Sequence, residues 1–255
     1  MKKNIKINVT NLSKNFANKQ VLDDISFSVN EGESLVILGG SGSGKSVLIK
    51  TIAGLIKPSG GEIFIDQQPV HNLKEKEQDK LMQKIGFLFQ GGALFDSLLV
   101  WENIAFRLIH QHKISTKQAF DMAVQKLQSV GLNEKVANLY PSELSGGMQK
   151  RVSLARAVAT NPEIIFFDEP TTGLDPIMAD VINNLIIANS KQLGATTITI
   201  THDMHSARKI ADKLAMLYQG KFIWFGNVDN LYNSGNEFVE QFIHGNAFGP
   251  INFAQ

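Results

Sequence analysis

Gly39-Gly40-Ser41-Gly42-Ser43-Gly44-Lys45-Ser46 stands between a short apolar run, Ser34–Leu38, and the helix-like VLIKTIAGLI of residues 47–56, which Pro58 stops. The order is strand, glycine loop, helix, and the letters read G-x-x-x-x-G-K-S from Gly39. Without side chains, the glycines let main-chain N–H groups curl around phosphate oxygens, and the helix that follows points its positive end at them. Lys45 is placed to reach the β- and γ-phosphates of a nucleotide and Ser46 to ligate Mg²⁺. A dinucleotide fingerprint does not fit, because the run continues into Lys45 where that motif needs spacing to a third glycine.

Working outward, residues 5–9 and 21–29 alternate apolar and polar side chains as half-buried strands do, with a turn-rich stretch between them, which predicts a small antiparallel sheet. Residues 61–66 read as another strand and residues 85–89 as a further buried one. From 91 to 159 helix-period patterns take over. Over 115–130, Ser115 and Gln118 suggest a capping box, Phe120, Ala123, Val124, Leu127 and Val130 share a face, and Gly131 ends the helix. Strand patterns return at 164–167 and 196–201, separated by a helix that Asp175 caps, Pro176 starts and Gly194 stops. Strands alternating with helices predict a parallel α/β core with an inserted helical lobe.

A carboxylate pair follows the phosphate loop at a distance. The run of residues 164–167 delivers Asp168 and Glu169 at a strand's end, where open parallel sheets bind ligands. Neighbouring strand residues point opposite ways. Asp168 is thus suited to hold Mg²⁺ through water and Glu169 to face an attacking water as general base. His202 follows the strand 196–201 and lies at the same edge, within reach of a γ-phosphate; the alternative for His202 and His205 is an i, i+3 metal pair, for which no third ligand stands nearby.

Composition sets limits on partners. The 25 basic and 24 acidic residues nearly cancel, so no global field favours nucleic acid or an anionic membrane. With 43% hydrophobic residues among 255, a buried core is expected and disorder is not. There is no cysteine, hence no disulfide and no thiolate metal site. The opening MKKNIKINVTNLSKNF has no apolar run behind its charges and does not read as a secretory signal, and no stretch of about 18 apolar residues offers a membrane span. A role at a membrane requires a partner that crosses it.

Leu144-Ser145-Gly146-Gly147-Met148-Gln149 opens a helix expected over 150–160. With the phosphate loop before it and the acidic pair after it, the chain resembles the ABC ATPase family from about residue 5 to residue 235. The resemblance implies a P-loop NTPase (RecA-like) core with an antiparallel β subdomain, together about 1–90 and 161–235, an α-helical subdomain at about 91–160, and a tail at 236–255. It implies that the substrate is ATP, with Mg²⁺ held by Ser46, Gln90 and Asp168, and that Gly39 through Val47 and Gln90 contact the nucleotide. The signature, residues 144–149, implies a contact across a two-fold dimer, where Ser145, Gly146 and Gly147 of one copy meet the γ-phosphate held by the other. Asp175 matches an interface loop, His202 a switch histidine, and Lys45 and Glu169 the catalytic machinery. Phe16 matches the ring that stacks on adenine, with ordinary sheet packing as the alternative.

Three stretches narrow the resemblance: SGSGKSVLIK, with Val47 where most relatives carry threonine; FQGGALFDSLLVWENIAF after Gln90; and the tail FIHGNAFGPINF. Together they look like the Mla-type ATPases, which move phospholipid between membranes. That resemblance implies a homodimer at the cytoplasmic face of the inner membrane, an integral membrane permease, an MCE-type lipid-binding subunit and a small STAS-type regulatory subunit, with no nucleic acid. Ala93, Leu94, Phe95, Leu98, Leu99, Val100 and Trp101 form either a groove for a permease helix or packing for the helical lobe. The tail, with Phe238, Val239, Phe242 and Ile243 on an amphipathic helix, either braces the dimer or folds back on its own subunit. Two other readings stand beside this one: an importer ATPase for another solute such as amino acids, and a soluble ABC ATPase acting on ribosomes or DNA, which usually carries tandem domains or a long coiled coil.

Overall fold

The computed structural model describes residues 4–112 and 114–251, so the end of the expected tail, 252–255, lies outside the described residues. In chain order the elements are β1 (Ile5–Phe16), β2 (Lys19–Asn30), β3 (Ser34–Leu38), α1 (Lys45–Ile52), β4 (Gly60–Ile65), β5 (Gln68–Pro69), α2 (Glu75–Gln83), β6 (Ile85–Leu88), α3 (Val100–His112), α4 (Thr116–Ser129), α5 (Gly146–Ala157), β7 (Ile164–Asp168), α6 (Pro176–Leu193), β8 (Thr196–Thr201), α7 (Met204–Ile210), β9 (Lys213–Tyr218), β10 (Lys221–Asn227) and α8 (Glu237–His244). By internal packing the chain divides into two units, residues 1–73 with 198–255, and residues 74–197.

In the first unit β1 and β2 pair antiparallel, with Ile7 opposite Val29 and Val9 opposite Phe27, and β4 and β5 extend the sheet in the order β2-β1-β4-β5. Alternation puts Ile7, Val9, Leu22, Ile25 and Val29 in the interior. The stretch expected to be turn-rich between the first two strands is instead strand up to Phe16, and the reversal takes place at Ala17 and Asn18. Its polar residues mask a pair of irregularities: Asn11 and Asp24 adopt left-handed backbone, φ 49 and 53. Side chains take up the bonds the ladder loses there. Asn11 N donates to Ser26 Oγ (2.8 Å), Asn11 Nδ2 to Asp24 Oδ1 (2.6 Å) and Asp24 N to Ser13 Oγ (3.1 Å).

The same unit holds β3 between β9 and β8, with β3 and β9 parallel and β10 antiparallel to β9. Leu35, Val36, Ile37 and Leu38 are all buried, as a strand covered on both faces requires. Two loops therefore leave the C-terminal ends of neighbouring strands: the glycine loop after β3 and the segment from His202 after β8. At the far end of the unit the tail folds back on itself through Gln241 of α8. Its Nε2 donates to the carbonyls of Asn246 and Ile251, 3.1 Å each, and its Oε1 accepts from Ile251 N at 2.6 Å. Phe248, on the loop so closed, is 94% exposed.

The second unit pairs β6 and β7 in parallel, Ile85 beside Ile164 through Leu88 beside Phe167, and gathers its helices around one apolar core that includes Ile104, Leu108, Ala123, Leu127, Val152, Leu154 and Ile182. The expected capping box forms: Gln118 N donates to Ser115 Oγ and Ser115 N to Gln118 Oε1. Of the face predicted for α4, Ala123, Leu127 and Val130 are buried, with Phe120 and Val124 packed at the margin. Asp175 caps α6, receiving the N–H groups of Ile177 and Met178 at 3.0 Å each, and Gly194 ends it in left-handed backbone. The helix expected over 150–160 begins earlier, at Gly146, because Ser145 supplies its cap.

In the apolar stretch after Gln90, both alternatives find residues. Val100 is buried and Trp101 packs edge-on against Phe120, their centroids 5.8 Å apart, whereas Phe95 is 45% exposed. The buried amide of Asn103 fixes this loop, accepting from Phe95 N at 2.7 Å and donating to the carbonyls of Phe95, Leu98 and Leu99.

Candidate functional site

The phosphate loop of the first unit owes its form to the backbone. Gly44 sits at φ 105 as the residue before α1, where a Cβ would lie 2.9 Å from the carbonyl oxygen of Val21; the position excludes a side chain twice over. Gly42 also lies in left-handed space, at φ 76, but nothing comes within 4 Å of where its Cβ would stand. The buried Lys45 curls back, donating from Nζ to the carbonyls of Gly39 (2.7 Å) and Gly40 (2.9 Å), which draws residues 39–45 into a ring.

Two observations fit this ring to an anion. No side chain caps the N-terminus of α1, so the first-turn N–H groups have no side-chain acceptor from the residue before the helix. The Oγ of Ser43 is buried with no hydrogen-bond partner among the described residues. Ser41 and Gly42 are exposed, and Ser46 and Val47 are half-buried on the first turn. In the same unit His202 is exposed just beyond β8; Asp203, next to it, caps α7 through His205 N (3.2 Å) and Ser206 N (2.9 Å). Burial pushes the Asp203 carboxyl up, but hydrogen bonds from Ser206 and His205 outweigh it and hold it below the usual value. Among the described residues no three His, Cys, Asp or Glu side chains are grouped to hold a metal, so the His202–His205 pair stays without a third ligand. Phe16 ends β1 in an exposed position, and the Lys14 ammonium lies 4.7 Å from its ring centroid.

The second unit carries the remainder of the predicted set. Asp168 closes β7 at 2% exposure, and Glu169 follows it in left-handed backbone, φ 50. A charged residue there is uncommon, and its carboxylate is held: Thr172 Oγ1 donates to Glu169 Oε2 at 2.5 Å. Leu144 is buried, Ser145 Oγ accepts from Met148 N at 3.3 Å, Gly146 faces open space, and Gln149 Nε2 donates to the carbonyl of Pro141 at 2.9 Å. The signature glycines thus form the first turn of α5. Asp175 spends its carboxylate on capping α6, and Ile177 beside it is 77% exposed.

Reading the residue types alone misses Lys150 and Thr172. Lys150 Nζ donates to the main-chain carbonyl of Gln90 at 3.0 Å. Burial lowers the hold of this ammonium on its proton, while the carboxylates of Asp168 and Glu169 act in the opposite sense, so all four residues share one neighbourhood. The hydroxyl three residues after Glu169 is a local pattern that sequence offers; the Lys150 contact, 60 residues from its partner, is not.

Comparison with known proteins bears on the family and the fold. The ABC transporter family model matches residues 22–172. The chain is 37% identical over 251 residues to the probable ribonucleotide transport ATP-binding protein mkl of Mycobacterium leprae, covering 98% of this chain and 72% of that protein. It is 37% identical over 247 residues to the intermembrane phospholipid transport system ATP-binding protein MlaF of Haemophilus influenzae, covering 97% and 93%. A solved dimeric post-hydrolysis state of an ATP-binding cassette, bound to ADP and Pi, superposes with a TM-score of 0.80 at 33% identity over 87% of this chain and 98% of that one. The fold is that of the P-loop ATPase cassettes, and the chain belongs to the ABC transporter family as an ATP-binding subunit whose ATP hydrolysis is coupled to transport.

Proposed function

We propose that two copies of this chain, docked under a separate integral membrane permease at the cytoplasmic face of the inner membrane, energise the movement of phospholipid between membranes. The observation that carries the substrate is the likeness to the phospholipid transport protein of Haemophilus influenzae, which runs through nearly the whole of both chains. The ring drawn by Lys45 around the main chain of Gly39 and Gly40 supports binding of the nucleotide phosphates by residues 39–47, with Phe16 against the base. Ser46, Gln90 and Asp168 are the residues suited to hold Mg²⁺, which supplies charge neutralisation at the β- and γ-phosphates.

In this reading Glu169 takes a proton from the attacking water, its carboxylate oriented by Thr172, and His202 holds the γ-phosphate by hydrogen bond. Ser145, Gly146 and Gly147 at the open N-terminus of α5, with Leu144, Met148 and Gln149 shaping that turn, cap the nucleotide of the second copy. Asp175 and the exposed Ile177 lie in the interface loop. Residues 1–235 form the ATPase domain, with the core and β subdomain at about 1–90 and 161–235 and the helical subdomain at about 91–160. The segment 236–255 braces the dimer, and MCE-type and STAS-type subunits complete the complex. Such a dimer closes on ATP and opens after hydrolysis, and that cycle works on the permease.

Co-purification with a multi-pass membrane protein, followed by ATP-driven transfer of labelled phospholipid between vesicles by the reconstituted pair, tests the proposal. The second reading is an ATPase for another solute, and the ribonucleotide named for the mycobacterial relative makes it specific. Turnover stimulated by ribonucleotides and indifferent to phospholipid would move the chain to that reading.

A further inference from the structure

We infer that Lys150 is a positioning residue, fastening the main chain of Gln90 from the helix that bears the signature. The inference rests on the function proposed above. Lys150, Ser153 and Arg156 form one i, i+3 row on α5 beside the main chain of the loop that follows β6. Lys150 Nζ donates to the carbonyl of Gln90 (3.0 Å) and Arg156 to those of Gly92 (2.6 Å) and Ala93 (2.8 Å), while the single Ser153 hydroxyl proton is shared between the carbonyls of Gln149 on its own helix (2.8 Å) and Gly92 (3.3 Å). The loop presents these carbonyls because Gly92 and Ala93 both take left-handed backbone, φ 78 and 48, and it passes so near α5 that a Cβ on Gly92 would lie 2.6 Å from Ser153 Oγ.

The three side chains are not equivalent. Arg156 reaches Gly92 and Ala93, and Ser153 is shared with the Gln149 carbonyl of its own helix, whereas the half-buried ammonium of Lys150 holds Gln90 and also feels both carboxylates, Asp168 and Glu169. A cation on the Gln90 carbonyl fixes where that main chain stands, and the two acids favour its charged form. Loss of its charge leaves the loop fastened at Gly92 and Ala93 but frees the residue next to the acidic pair.

Hydrogen exchange on the nucleotide-free full chain provides a readout independent of turnover. In Lys150→Met the peptide spanning residues 88–95 should exchange about tenfold faster, the loss of one charge-assisted hydrogen bond, while the peptide of α4 stays as it was. Steady-state turnover should fall by about tenfold with the KM for ATP within about twofold, as expected of a residue that positions the Gln90 loop rather than binding the nucleotide. Lys150→Arg should restore both. Unchanged exchange in Lys150→Met, or Met and Arg variants equally impaired with a lowered melting temperature, overturns the inference in favour of simple packing. Lys45→Ala run alongside keeps the two ideas apart: if it retains nucleotide binding, the functional reading has failed, whatever Lys150 does.

Discussion

The glycine loop after β3 and the acidic turn after β7 both leave a parallel strand through left-handed backbone, yet only the first is made of glycine. In the loop Gly42 and Gly44 adopt φ 76 and 105, and under the proposed function the working groups are main-chain N–H donors; a side chain is blocked at Gly44 but meets open space at Gly42. In the turn Glu169 occupies φ 50 with a full side chain, at a cost on the order of 1–2 kcal/mol. The contrast separates two kinds of site building. On the proposed function, glycine removes strain where the backbone is to be the ligand, and strain is tolerated where a carboxylate is to be the reagent, its side chain pinned here by Thr172.

The largest expected effect comes from neutralising the strained acid. Glu169→Gln should lower ATP turnover by about a thousandfold while nucleotide binding persists and the ATP-bound dimer accumulates, as gel filtration with ATP and Mg²⁺ would report. Glu169→Gly should lose turnover equally but melt no lower than the parent, since it relieves the left-handed carboxylate; a clear drop in melting temperature would mean the turn is unstrained. Next comes Gly44→Ala, where adverse φ and a blocked Cβ act together: a loss of about 2–3 kcal/mol in denaturant unfolding, with nucleotide binding abolished. Gly42→Ala has the adverse φ but open space, and should cost only about 1 kcal/mol. Equal losses at the two glycines would break the distinction between strain and obstruction.

A small effect outside both loops calibrates these. His71 lies in the first unit with its Nε2 buried and unpartnered; burial lowers its hold on a proton, the Thr51 carbonyl partly restores it, and Lys57 opposes it. The folded state then binds fewer protons than the unfolded one, so stability should fall as pH drops below the unfolded value of about 6.5, and His71→Gln should flatten that part of a melting-temperature profile. A profile identical in both proteins would show that His71 keeps its ordinary acidity.

How far the sequence could be read follows from the range of the forces involved. The cradle, the Ser115–Gln118 box and the Asp175 cap are legible because each is closed by residues within a few positions. The first hairpin was legible only in part: NLSKN has the composition of a turn, and it stays in a strand because Asn11, Ser13, Asp24 and Ser26 bond one another across the ladder. The start of α5 was hidden for a related reason. Two glycines argue against helix on propensity, and the Ser145 cap with the packing of Val152 and Leu154 prevails. Lys150 beside Gln90 had no local signal, since only the folded chain brings them together.

The closure of the tail by Gln241 has a chemical corollary. The stretch 246–251 is held by one planar amide whose two ends are both in use, the NH₂ by carbonyls and the oxygen by an N–H. Deamidation at this position would swap the donor for a negatively charged oxygen aimed at two carbonyls, and attraction would become repulsion on the same geometry. The hold on the loop that displays Phe248 is therefore as durable as one amide nitrogen, and sample age becomes a variable in any measurement made on that loop.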